Sequence, residues 1–341
     1  MTRQNYRWMG LAILVLVFAT VAITAMRTNA FDFVPPTTPI KSIPLTIGAD
    51  ESDVSTLIWV AHDREYTARR GLAVTMKPFS AGKFAAEALE RGDVDLAASA
   101  DIVLIKRILQ GTDLRVLASI NFFNTNDVIA RRDSGITRPS DLKGKRLGLV
   151  RGSSSEYDGS HFLLLNGLSL KDVTIVNLLP QMLEEAIVAG NVDAVSIWSR
   201  FADQIARRLG SNAVVFPHDA SHGSFFLLLA RENWLKDHSE AIQRMLAALN
   251  DAARLVEEDP ESARRLISKR FGNDTAYFDH FWPRHNFRLN LPQSLLVNLE
   301  EQARWLLDSA SRPEQEIPNV LSYIRSSYLK NIDPSLVTLI Q

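Results

Sequence analysis

The sequence contains no cysteine, which excludes a disulfide framework, a thiol nucleophile and any cysteine-ligated metal centre. It also excludes the lipid anchor of exported bacterial proteins, which is attached at a cysteine. An excess of charge of one sign is missing as well: 38 Lys and Arg meet 39 Asp and Glu, for a formal net charge of −1. Nucleic-acid binding needs concentrated Lys and Arg, so no nucleic-acid partner is expected. The basic pairs Arg69-Arg70, Arg131-Arg132, Arg207-Arg208 and Arg264-Arg265 are scattered and read as solvated faces. Three signatures of phosphate and acyl chemistry are absent too. The serine-rich stretch RGSSSEY, Arg151 to Tyr157, has no lysine and hydroxyl residue after a final glycine, no glycine on both sides of a nucleophilic serine, and no dinucleotide fingerprint.

What is present is a chain of 341 residues, 46% hydrophobic and 23% charged, enough for two ordinary packed domains. The N-terminus differs from the rest. Arg3 and Arg7 precede an uncharged run from Trp8 to Met26, which lies between the core of a removable signal peptide and a spanning helix. Residues 1–30 are therefore expected to be a signal peptide or an N-terminal membrane anchor. Positive charge ahead of the apolar run places the body outside the cytoplasm, in the periplasm or on the outer face of the membrane, and an uncleaved segment would hold it there. Residues 31–42, rich in proline, read as an extended tether.

Self-similarity recurs at a period of about 98 residues. The first copy runs LTIG, a loop, a helical stretch to Gly71-Leu72, the strand AVTMKPF, a helix to Gly92 and the strand VDLAAS. The second runs LGLV, RGSSSEY, a helix to Gly167-Leu168, the strand VTIVNLL, a helix to Gly190 and the strand VDAVSI. Short apolar runs alternating with helical spacing are the pattern of strand-helix-strand units around a parallel sheet. The four glycines fall where helices stop in a left-handed turn. Ligands of open α/β sheets bind beyond the carboxyl ends of strands, where both serine-bearing loops fall. First-turn amides there suit an electronegative ligand atom. One of Ser153, Ser154 and Ser155 is expected to cap the helix, with Glu156 closing a capping box from Ser153, and at least one other to contact ligand.

The stretches DLKGKRLGLVRGSSSEY (Asp141 to Tyr157), AGNVDAVSIW (Ala189 to Trp198) and GLAVTMKPFSAGKFAAEALERGDVDLAASAD (Gly71 to Asp101) resemble the extracytoplasmic solute-binding proteins of the nitrate, sulfonate, taurine and pyrimidine-precursor group. The resemblance covers roughly Pro44 to Glu232. It implies a two-lobed type II periplasmic-binding-protein fold, each lobe a mixed α/β sheet with flanking helices, plus a helical C-terminal region. The first lobe would comprise 43–120 and 232–341 and the second 121–231, with crossover strands at Asn126 to Arg132 and Ser224 to Arg231. The implied activity is capture of a small organic molecule between the lobes and its delivery to an ABC permease, without catalysis and with no cofactor.

Family contact positions correspond here to Ser52, Asp53, Ser80, Ser99, Asp101, Asn121, Ser153, Ser154, Ser155, Trp198 and Ser221. Phe122 or Phe123 is expected at the cleft, and Phe122 is taken as the candidate. The chain departs from the family pattern at Val103, where a proline is expected, and at Ser199 and Arg200, where an acidic residue and a proline often follow the tryptophan. Trp198 ends a strand where an aromatic can stack on a planar or apolar group. If Asp53 and Asp101 both line the cleft, they oppose a nitrate-like anion or a sulfonate unless paired with Arg151 or Arg200, and favour an amine or a pyrimidine. The alternative for Asp101 is a cap on the helix beginning near Ile102.

His218 and His222 have the i, i+4 spacing that matters only within a helix, and Pro217 argues against one. No third ligand is identifiable, so no metal is expected. Two rival readings are an enzyme on the same fold and a membrane-tethered sensor. The cysteine-bearing motif of the related pyrimidine synthase has no match in this chain.

Overall fold

The computed structural model describes residues 42–218 and 222–340. The apolar N-terminal segment, all but Ser42 of the proline-rich tether, and Ser221 lie outside the described residues.

The first copy of the repeat forms β1 (Ile43–Asp50), α1 (Thr56–Asp63), β2 (Leu72–Phe79), α2 (Gly82–Arg91) and β3 (Leu96–Ala100), followed by α3 (Asp101–Ile108) and β4 (Leu114–Phe123). The chain then enters β5 (Asn126–Arg131). The second copy follows as β6 (Arg146–Leu149), α4 (Ser154–Leu165), β7 (Thr174–Asn177), α5 (Pro180–Val188) and β8 (Ala194–Trp198), then α6 (Ser199–Leu209) and β9 (Ala213–Pro217). β10 (Ser224–Arg231) leads to a helical region, α7 (Ser239–Glu258), α8 (Pro260–Phe271), α9 (Thr275–Phe281), the short β11 (His285–Asn286) and α10 (Gln293–Ser309).

Two sheets result, in the orders β11-β4-β10-β3-β1-β2 and β7-β6-β8-β5-β9. The repeat is visible in their pairing. β1 lies parallel between β2 and β3, and β6 lies parallel between β7 and β8. The matched Val-Asp pairs do equivalent work: Asp95 accepts the amide of Thr46 at 2.7 Å and Asp193 that of Arg146 at 2.8 Å. Each carboxylate thereby ties its third strand to the start of its first. The helix-ending glycines 71, 92, 167 and 190 all have φ between 70° and 75°, or 83° at Gly92, in the left-handed region open to glycine at no steric cost.

The sheets take their strands differently from the expected lobe boundaries. Asn121 to Phe123 complete β4, and Ser224 to Arg231 pair on both edges within the first sheet, against β3 and β4. The chain therefore passes between sheets at Asn124-Thr125 and again between Pro217 and Ser224. Residues 224 to 230 are all buried, so the run SFFLLLA is apolar on both faces. Nothing local in such a run says which sheet it joins, because the alternation that would mark an inner face is absent.

The C-terminal helices cover the first sheet. On α7 the residues Ala241, Ile242, Met245, Leu246, Ala248, Leu249, Ala252 and Val256 are buried, a spacing of three and four that forms one stripe, and this helix packs against α1. Burial of each of its larger apolar side chains contributes about 1.5–3 kcal/mol. The second sheet has its own smaller core around Val128, Leu147, Leu149, Phe162 and Leu163.

Candidate ligand-binding site

The carboxyl ends of β1, β2, β3, β6 and β8 face one another across a cavity of about 260 Å³, whose lining comes from both sheets. From the first come the loop Asp50-Glu51-Ser52, the turn Ser80-Ala81-Gly82-Lys83, Val54, Ala100, Val103, Phe123 and Phe226. From the second come Ser153, Ser154, Gln181, Trp198, Arg200 and Phe201. The strand ends place these residues, and the helices that follow present their first turns.

Three of those helices begin without a side-chain cap: α2 after Ala81, α3 after Ala100 and α6 after Trp198. Neither alanine nor tryptophan carries an oxygen that could satisfy first-turn amides. At α2 and α6 those donors and the positive end of the helix dipole face the cavity, whereas at α3 Asp101 in the first turn takes the amide of Ile102. α4 is built otherwise. Ser153 is its N-cap and accepts the amide of Ser155 at 3.2 Å. Glu156 does not close the expected box, because its carboxylate takes the amide of Gly152 at 2.7 Å instead.

The three serines divide their roles. Ser155 takes the amide of Val150 and donates to the carbonyl of Ser196 at 2.7 Å, tying β6 to β8 below the cavity rather than lining it. Ser154 accepts the indole N–H of Trp198 at 2.7 Å, which fixes the ring plane against the cavity. Ser153 and Ser154 line the cavity, as do Ser52, Ser80 and Trp198. Val103, at the position where a proline was expected, adds an apolar contact.

The remaining sequence candidates lie elsewhere. Phe123 lines the cavity, in edge contact with Phe226 at 6.0 Å, whereas Phe122 packs on Phe225 at 4.9 Å. Successive side chains of a strand point to opposite faces, so only one of the pair can face inward. Ser99 is fully buried in β3 under the start of α2. Asn121 is likewise buried and donates to His285 Nδ1 at 2.9 Å. Asp101 accepts the amides of Ile102 and Phe225, each at 2.8 Å, and the side-chain amide of Asn298 at 2.6 Å. Burial pushes its carboxyl up to about 6, against the effect of those bonds.

Asp53 is also turned away from the cavity, and it joins the two halves of the molecule. Its carboxylate accepts from Tyr277 at 2.6 Å and from Ser199 at 3.2 Å, with His285 Nε2 at 3.2 Å. Burial alone would raise this carboxyl, but His285 and the two hydroxyls outweigh it and hold the group below its ordinary value. Two further bonds cross the cavity rim: Lys83 Nζ to the carbonyl of Arg151 at 2.8 Å, and Arg200 Nη1 to the carbonyl of Glu51 at 2.6 Å.

Sequence reasoning missed Asp50, Gln181, Lys83, Phe226 and Phe201 as lining residues. Asp50 matters most. It ends β1, its side chain bonds the hydroxyl of Ser52, and burial pushes its carboxyl up to about 7, aided by Asp53 and opposed by Ser52 and Arg200. The available signal was position, since Asp50 is the carboxylate that ends the apolar strand β1, at the edge where ligands of α/β sheets bind. The polar side chains thus comprise two carboxyls, two cations, four hydroxyls and the amide of Gln181 beside an aromatic wall, and no histidine is among the described lining residues.

Comparison with known proteins agrees with this geometry. A protein of Escherichia coli described as binding aliphatic sulfonates is 27% identical over 249 residues, covering 69% of this chain and 75% of its own. The alkanesulfonate-binding protein SsuA of Xanthomonas axonopodis pv. citri, solved bound to MOPS, superposes with a TM-score of 0.71 at 22% identity, over 84% of this chain and 99% of its own. That likeness establishes the periplasmic-binding-protein fold expected from the sequence. A 4-amino-5-hydroxymethyl-2-methylpyrimidine phosphate synthase of Uromyces fabae is 25% identical over 219 residues, 60% of this chain and 64% of its own. With residues 53–263 matched by the model of that family, spanning most of both sheets and the cavity between them, the chain belongs to the NMT1/THI5-like family.

Proposed function

We propose that this protein is an extracytoplasmic solute-binding protein that closes its two lobes over a small organic anion of the sulfonate class and presents it to an ABC importer. The observation that carries the reading is the convergence of two uncapped helix starts, at Ala81 and Trp198, on one cavity built from both sheets. A sulfonate has three oxygens that only accept hydrogen bonds. First-turn amides and the hydroxyls of Ser80 and Ser154 are donors of the matching kind, while Ser52 and Ser153 donate to Asp50 and to the carbonyl of Val150. Lys83 and Arg200 offset the carboxyls of Asp50 and Glu51, and Asp50, when protonated, is itself a donor.

The wall of Trp198, Phe201, Phe123 and Phe226 suits an alkyl or aryl substituent, which a nitrate ion lacks. The sulfonate-binding relatives support the same class. The apolar segment Trp8 to Met26 supports export. The mechanism is population shift: ligand bridging both lobes stabilises the closed arrangement by its greater affinity for it, and a permease selects that arrangement.

Calorimetry and thermal shift on the purified chain with alkane- and arylsulfonates, nitrate and aminopyrimidines test this. A sulfonate at 100 times its Kd should add about 2.7 kcal/mol of stability, and the loaded protein should stimulate its cognate ATPase. Stabilisation by aminopyrimidines alone, or turnover of any of these compounds, would overturn the sulfonate assignment, and turnover would favour the enzymatic reading that the synthase relative raises.

A further inference from the structure

His161, His218 and His222 come together away from the ligand cavity, each offering one ring nitrogen, with all three atoms within 4.8 Å of one another. The third imidazole, which the spacing of His218 and His222 could not reveal, comes from α4, 57 residues upstream of His218. His161 belongs to the second sheet's layer of helices. His218 follows β9 and His222 precedes β10, so the pair brackets the passage by which the chain returns to the first sheet. The rings of His161 and His222 stack at 3.9 Å and 16°, and His218 lies 5.6 Å from His222.

Asp158, one turn before His161 on the same helix, adds a carboxylate with Oδ1 4.0 Å from His222 Nε2. That side chain is buried and bonded to Asn126 at the other passage between the sheets. Tyr157 and Trp305 wall the group on one side.

Neutral imidazole is a preferred ligand of zinc, copper and nickel. Three of them with one open position is a recurrent zinc arrangement, and a carboxylate behind a ligating ring fixes its tautomer. Bonds of about 2.1 Å in a tetrahedral site put nitrogens about 3.4 Å apart. From separations of up to 4.8 Å, the three nitrogens need to close by up to about 1.4 Å, with the stacked pair splaying until both lone pairs point at one ion.

We propose that His161, His218 and His222 form a transition-metal site of the zinc class, with Asp158 orienting His222 and water filling the fourth position. The bound ion would join α4 to the return passage and so restrain the movement of one lobe against the other. The site is independent of the solute reading, since it shares no residue with the cavity.

The test is titration of the untagged, chelator-treated full chain with zinc chloride by calorimetry, and with cobalt(II), whose visible bands report tetrahedral nitrogen ligation. One equivalent should bind, and His161→Ala, His218→Ala and His222→Ala should each weaken binding at least tenfold, while His62→Ala on the far helix α1 leaves it unchanged. X-ray absorption of the zinc-loaded wild type should show three imidazoles, a readout that stands even where a variant fails to fold. Absence of saturable binding, binding untouched by all three variants, or a first shell without three imidazoles would overturn the proposal.

Discussion

At the scale of single residues, Asp50 is the group whose ionisation the cavity feels. Its carboxyl is raised from 3.8 to about 7, so it is neutral in the folded protein between those limits while an unfolded chain would be ionised. A proton held more tightly by the folded state stabilises it at low pH, and this contribution is lost as pH rises through 7. Asp50→Asn removes the titration. The variant should gain stability over wild type at pH 8 relative to pH 5, by up to about 3 kcal/mol, read from urea denaturation at both pH values. Sulfonate affinity should fall in wild type between pH 6 and 8 and stay flat in the variant.

Asp53 behaves oppositely, because its partners favour the charged form. Tyr277→Phe removes the 2.6 Å bond to that carboxylate and should cost about 1.5–3 kcal/mol, measured by denaturant midpoint, with no change in the pH profile of binding. Of the residues named from sequence, those that line the cavity stand at strand ends, such as Ser52, Ser80, Ser154 and Trp198. Those that do not line it, Asp53, Asp101, Asn121, Ser99, Phe122 and Ser155, sit within a residue or two of it. They differ only in which way the backbone turns them, and a one-residue step along a strand reverses the face.

At the scale of elements, the repeat made most of the architecture legible. Two copies with aligned glycines and Val-Asp pairs predict equivalent pairing, and β1 and β6 indeed occupy equivalent places. Legibility failed for β10, where an unbroken apolar run fits the interior of either sheet. Close packing between elements is also invisible in the sequence. A Cβ at Gly82 would lie 2.9 Å from Ser99 Cα and 3.0 Å from the carbonyl of Ala98, so α2 seats directly on the backbone of β3. Gly82→Ala should push the helix start outward. We expect a loss of about 1–3 kcal/mol and a fall in ligand affinity beyond that of a distant variant of equal stability, by thermal melting and calorimetry.

At the scale of the whole molecule, the polar contacts that cross between the two halves include Ser199 to Asp53, Arg200 to Glu51, Lys83 to Arg151, Trp305 to Ser160, Arg284 to Asp127 and Arg207 to Asp274. Those at the cavity rim hold the arrangement that a bridging ligand favours further. The double variant Ser199→Ala with Arg200→Ala should enlarge the radius of gyration of the ligand-free protein by small-angle scattering. Saturating ligand should restore compactness at a higher apparent Kd, since fewer molecules begin in the competent arrangement. None of these bonds could be read from composition, because an overall charge near zero says nothing about which cations meet which carbonyls. Ser199 and Arg200, the two departures from the family pattern after Trp198, are both among the partners.

The bare start of α2 carries one more implication. Evolution usually supplies a helix with its own oxygen at that point, and here the post is held by an alanine. Ala81→Asp would furnish a tethered surrogate, a carboxylate that lodges on the vacant amides and competes with any cargo from within. Such a receptor would be self-inhibited, its solute curve shifted rightward in proportion to how well one covalently attached anion imitates a free one.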